Sequence, residues 1–209
     1  MAAAGLRYEP SFLFFLAQAL HKISVVVPNR TLWIESLEME TNSSVEQTKI
    51  QGLIKQLWDS DGATREKARG ELIEIGGPDV TRALIIELND PRRDVRWEAG
   101  KALISIADPI AAPALVNHLM DEDGDIRWLA AEGLAVLGIP GLLATLNAST
   151  RHASDNDFVE AVHHAFKQFK KHGIHAKKLD PVVDACEHNE PGVGLPVEAY
   201  KLLQELKVR

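Results

Sequence analysis

The feature that most constrains this chain is an internal repeat. Leu53, Leu84 and Leu115 lie 31 residues apart, and the same interval relates Ile54, Ile85 and Val116, then Leu57, Leu88 and Leu119. It continues through Ala68, Ala99 and Ala130, through Leu72, Leu103 and Leu134, and through Ile75, Ile106 and Leu137. Pro78, Pro109 and Pro140 keep the register in the connections. A period of this length marks a stacked architecture, because one such unit cannot bury its own apolar face and its neighbours must supply the core.

Within a unit the apolar residues fall in two blocks at helical spacing, for example Leu84, Ile85 and Leu88, then Val95, Ala99, Leu103 and Ile106. Each unit is therefore predicted to be a helical hairpin, and the chain an all-α, right-handed α–α superhelix, or solenoid, of such hairpins. Asp94 and Asp125 are expected to cap the second helices, and Gly76 and Gly138 to end them. The units run over 50–80, 81–111 and 112–141, with a degenerate fourth at 142–173. There Leu142, Leu143 and Leu146 are followed by Phe158, Val162, Phe166 and Phe169, one residue late in register. Residues 174–209 are expected to cap the stack with helices at Pro181–His188 and Pro196–Lys207, separated by the Gly/Pro stretch Glu190–Pro196.

Residues 1–49 read as an N-terminal extension. Its apolar segment Ser11–Val27 is interrupted by Gln18, His21 and Lys22, which makes it too short and too polar to span a bilayer. A signal-peptide reading has Phe12–Leu16 and an Ala17-x-Ala19 site in its favour, but Arg7 is offset by Glu9. Met39 offers a later start. Cys186 is the sole cysteine, so an intrachain disulfide and a cysteine-based zinc cluster are both excluded, and the cytoplasm is the expected compartment. Thirty acidic against 23 basic side chains leave a net charge of −7, which works against broad contact with nucleic acid.

The segments LNDPRRDVRWEAGKALISI and LMDEDGDIRWLAAEGLAVL resemble the HEAT-like repeats first associated with phycobilisome lyases. The resemblance covers Ile50 to about Gly141 well and the fourth unit weakly. It implies that the second helices line a concave face and the first helices the convex one. The family includes scaffolds, chaperone-like adaptors, bilin-lyase subunits and the di-iron enzyme deoxyhypusine hydroxylase. That enzyme depends on His-Glu dipeptides, and this chain has none.

Two polar or aromatic series keep the 31-residue period. Asp59, Asp90 and Asp121 precede Arg65, Arg96 and Arg127 by six positions in each unit. An arginine beside a turn is expected to fix that turn and the next repeat by charge-assisted hydrogen bonds, so this ladder reads as structural. Trp97 and Trp128 directly follow two of the arginines, on the side of the second helix away from the alanine–leucine core positions. Tryptophan buries a large area at small entropic cost and is common in binding hot spots. The predicted partner-binding face is therefore Trp97 and Trp128 with Glu98, Lys101, Leu129, Glu132, Glu66 and Lys67.

Other features carry less. His163, His164, His172, His175 and His188 have no metal-ligand spacing and read as surface residues, so no metal or cofactor is expected. Lys167, Lys170, Lys171, Lys177 and Lys178 form a basic patch whose simplest role is to complement a helix C-terminus. No phosphate-binding glycine loop, nucleophile elbow or metal-ligand helix is present, so no catalytic residue is assigned. The expectation is a non-catalytic adaptor or scaffold with a protein partner. A bilin-lyase-type subunit or chaperone is the alternative, and nucleic-acid binding through the lysine patch is a weaker one.

Overall fold

Every hairpin must turn the chain at the start of its second helix, where the first amides are free, and in three of the four described hairpins an aspartate side chain accepts from them. The computed structural model describes residues 44–188 and 190–207. The expectations for Ser11–Val27, for Met39 and for the rest of the extension before residue 44 lie outside the described residues. Contacts divide the chain into Met1–Gln51 and Gly52–Arg209. Residues 44–51 of the first unit are helical and open helix α1, at 44–56, so that helix is already formed ahead of residue 50.

In the second unit, helices α2 (Gly62–Ile75), α4 (Arg93–Ile106), α6 (Gly124–Val136) and α8 (Asn156–Lys171) pack successively on one another in one layer. Helices α3 (Gly77–Glu87), α5 (Ala112–Asn117) and α7 (Ile139–His152) each pack against the second helix of the same hairpin. No strand occurs among the described residues, and no helix among them is long and apolar enough to cross a membrane. The all-α hairpin stack is thus the observed fold. Leu57, Leu88 and Leu119, Ala68, Ala99 and Ala130, and Leu72, Leu103 and Leu134 are all buried, as their period requires. Helix α5 is shorter than its counterparts and is flanked by 3-10 turns at Pro109–Ala111 and His118–Met120. Pro113 accounts for the first of these turns, because a helix running on from Pro109 would need the amide donor that residue 113 lacks.

The expected caps move. Asp61 and Asp123 are the N-cap residues of α2 and α6, accepting from Ala63 and Thr64 and from Asp125 and Ile126. Asp94 and Asp125 lie instead in the first helical turn. The equivalent cap of α4 is Arg92, whose side chain cannot accept, so the first-turn amides of α4 have no side-chain cap. Gly76, Ala107 and Gly138, again 31 apart, all adopt positive φ, at 60°, 56° and 69°. Alanine pays about 1 kcal/mol there that glycine avoids. Pro78, Pro109 and Pro140 are not loop residues but begin the next helix or 3-10 turn, where a missing N–H costs nothing.

The fourth hairpin is α7 with α8, whose Phe158, Phe166 and Phe169 are fully buried. A Cβ on Gly141 would stand 1.9 Å from the Leu134 carbonyl oxygen, so α7 crosses the end of α6 at a distance only glycine allows. Helices α9 (Asp180–Glu187) and α10 (Pro191–Lys207) then close the stack in reversed order, since α9 packs on α8 and α10 on α7 and α9. Helix α10 starts at Pro191, so most of the Gly/Pro stretch expected to be a break is helical. Leu195, Ala199, Leu202 and Leu203 are buried, and this packing outweighs the poor local propensity.

Candidate functional site

The arginine ladder sits in the turns between paired helices. Arg65 Nη1 donates to the carbonyls of Asp59 and Ser60, at 2.8 and 3.0 Å. Arg96 Nη1 does the same to Asp90 and Pro91, at 3.1 and 3.2 Å, and Arg127 Nη1 to Asp121 and Glu122, at 2.9 and 3.4 Å. The acidic residue six positions earlier therefore contributes its backbone oxygen to the arginine. Its carboxylate accepts the N–H two residues on, in Asp61, Arg92 and Asp123 respectively. The second guanidinium nitrogen reaches forward one repeat: Arg65 Nη2 to Asp94 at 3.1 Å, and Arg96 Nη2 to Asp121 at 3.1 Å. Arg96 and Asp121 side chains are only 7% and 8% exposed. Arg92 pairs with Asp90 through its own guanidinium and, by this hydrogen bond, holds the Asp90 carboxyl below the usual carboxylate range.

The aromatic face lies one residue further along the same helices. Trp97 is half-buried, with Arg93 Cζ 5.1 Å and Lys101 Nζ 5.7 Å from its ring centroid, each one helical turn away. Trp128 is 51% exposed, and its ring lies 5.0 Å from that of His164 on α8. The residue equivalent to Arg93 is Gly124, and that equivalent to Lys101 is Glu132. The repeat therefore gives Trp97 two covering cations and leaves Trp128 without them. Burial pushes the His164 imidazole below its ordinary range, against an opposing pull from Glu132.

Of the other residues expected on this face, Glu66 and Lys67 are exposed and Lys101 and Glu132 half-buried, whereas Glu98 and Leu129 are buried. These two occupy one repeat position, directed back at the preceding second helix. Glu98 forms an ion pair with Arg69. One repeat later, where Gly100 replaces the arginine, Leu129 fills the space: a Cβ on Gly100 would fall 2.6 Å from Leu129 Cδ2. The 31-residue period sets both beside a tryptophan in sequence but is the same for a residue in the interface between helices and one on the solvent side.

Three further contacts were not anticipated. Trp58 Nε1 donates to Glu87 Oε2 at 2.6 Å beneath the Arg92 guanidinium, 4.9 Å from its ring. Arg93 pairs with both Asp123 and Asp125 of the next hairpin, at 3.3 and 2.7 Å. His118 is buried, with Nδ1 2.9 Å from the Ala114 carbonyl and Nε2 2.6 Å from that of Leu88 in the preceding repeat. Of these residues only Arg93 had a legible partner at helical spacing, Trp97 at i+4, and not the aspartates it pairs with.

Among the described residues no cluster of three or more His, Cys, Asp or Glu side chains is placed to hold a metal. His163 Nε2 lies 2.9 Å from Glu187, whose carboxyl is held low by Lys167 and then by His163. Burial pushes the Cys186 thiol up to about 12, so it is an unreactive neutral group at physiological pH. Within the lysine patch, Lys167 pairs with Glu187, Lys170 with Asp180 and Lys178 with Glu205. These pairs neutralise much of the patch.

A family model for HEAT repeats matches residues 50–135. No curated protein matches the chain.

Proposed function

This chain is a HEAT-like repeat protein, and from that premise we propose that it is a non-catalytic adaptor, working in the cytoplasm, that holds a protein partner against its layer of second helices. HEAT repeats commonly mediate protein–protein interaction and are generally non-catalytic. The observation that carries the reading is the half-exposed Trp128 indole on α6, with the half-buried Trp97 at the equivalent position of the neighbouring helix α4. An indole left half in water gains most when a partner covers it, since such a side chain has much area to bury and few rotamers to lose. Glu66, Lys67, Lys101 and Glu132 supply a polar rim of both signs on the same layer. Glu98 and Leu129 hold neighbouring helices together and are excluded from the contact surface.

The test is affinity capture from native lysate with wild type beside the Trp97→Ser/Trp128→Ser double variant. A partner retained by wild type and lost by a variant of unchanged thermal unfolding supports the reading. Equal capture by both would refute it. A bilin-carrying role rests on the repeat resemblance alone and requires a spectral change on addition of a linear tetrapyrrole. Nucleic-acid binding through the lysine patch has Lys171 and Lys177 outside the three ion pairs to work with.

A further inference from the structure

Terminal units of a helical stack need a polar outer surface, since no further repeat covers them. Helix α10 departs from this. Its inner face buries Leu195, Ala199, Leu202 and Leu203, yet Val193, Val197 and Tyr200 remain 66%, 48% and 57% exposed. Their i, i+4, i+7 spacing places all three on one side of the helix. Beside this stripe, between α9 and α10, lies a groove of about 700 Å³. Its apolar lining includes Pro181, Ala185 and Val193, and its polar lining includes Asp184, Glu190 and Glu198. Glu198 is paired with Lys201 at 2.7 Å. No cation pairs with Asp184 or Glu190 among the described residues. His188, also on the lining, turns its Nδ1 to the Asp184 carbonyl rather than to a carboxylate.

The geometry points to a docking groove for a short basic segment of another protein, one that lays an apolar side chain against Val193 and Val197 and sets lysine or arginine beside Asp184 and Glu190. Charge complementarity chooses this occupant: two carboxylates with no cation partner among the described residues flank an apolar lining, so a basic amphipathic segment is attracted and an acidic one repelled. A second copy of the chain fits less well. Three exposed side chains offer far less than the roughly 800 Å² per partner of a standard interface, and the copy would bring the same carboxylates against its own. This groove lies on α9 and α10, separate from the tryptophans of α4 and α6, so it stands independently of the adaptor reading.

The experiment is fluorescence anisotropy of two labelled helix-forming dodecapeptides, one of Leu, Lys and Ala and the other with Glu in place of Lys, titrated with the full chain at several salt concentrations. The Lys peptide should bind saturably and weaken with salt, and the Glu peptide should not bind. Asp184→Asn/Glu190→Gln and, separately, Val193→Ser should each weaken the Lys peptide at least tenfold with thermal unfolding unchanged, and Trp128→Ser should leave it as in wild type. Binding that is absent, or equal in wild type and both groove variants, overturns the proposal. So does a dimer by sedimentation that Val193→Ser/Tyr200→Ser dissociates, because a second copy would then cover the face.

Discussion

Arg96 and Trp97, like Arg127 and Trp128, are sequence neighbours with opposite roles. The arginines turn into the stack, where each donates to two turn carbonyls of its own repeat. The tryptophans stay at the surface, and their surroundings differ between repeats: two cations flank Trp97, whereas Trp128 has a histidine and open solvent. The difference teaches that strict periodicity records what stacking requires. Turn carbonyls must be satisfied identically at each step, whereas a side chain facing water is free to change. The most regular polar series is accordingly structural, and the candidate contact surface lies where the repeats diverge.

The largest expected effect tests the buried half of that contrast. Arg96→Ala removes a donor shared by Asp90, Pro91 and Asp121 and should destabilise by about 3 kcal/mol. A thermodynamic cycle with Asp121→Ala, read by urea unfolding, should show coupling of at least about 1 kcal/mol. Additive effects would mean the two residues act separately. Next, Ala107→Gly should stabilise by about 1 kcal/mol, because it restores to the second hairpin the residue that Gly76 and Gly138 supply to the others. Calorimetry showing no rise in melting temperature would mean the neighbouring packing has already absorbed the strain.

Gly124→Arg would give Trp128 the cation that Trp97 receives from Arg93. It should reduce acrylamide quenching of Trp128, observed with Trp33, Trp58 and Trp97 replaced by phenylalanine, and alter stability by less than about 0.5 kcal/mol. Unchanged quenching would show that the exposure of Trp128 has another cause. The smallest effect concerns His164. Burial depresses its folded-state pKa, so the unfolded chain binds the extra proton first as pH falls. Its contribution is fully present above the unfolded value of about 6.5 and is lost as pH falls through the lower folded value. His164→Gln should flatten this part of the pH–stability curve, and an identical curve would contradict the assignment.

Helix number, hairpin pairing and core were legible because a 31-residue period samples each position three times, and Leu88 or Ala99 needs only to be apolar and in phase. Cap positions were less legible. Asp61, Asp94, Asp123 and Asp125 crowd the same turns, and only the backbone geometry tells a cap from a first-turn aspartate. The α10 start was missed because glycine and proline read as a break, whereas burial of Leu195 and its neighbours decides the outcome. Within the candidate face, Trp128 was legible as a residue at the surface because it follows the Arg127 position on the side away from the core. The burial of Glu98 and Leu129 was not legible, since their orientation depends on Arg69 and Gly100, one repeat away.

The central claim is the division of labour between adjacent residues, and equilibrium urea unfolding of Arg96→Ala and Trp128→Ser, side by side with wild type, tests it most directly. Arg96→Ala should lower the midpoint by an amount equivalent to about 3 kcal/mol with an unchanged slope, and Trp128→Ser by less than about 1 kcal/mol. Equal losses, or a larger loss for Trp128→Ser, would contradict the account by showing that the indole belongs to the packing.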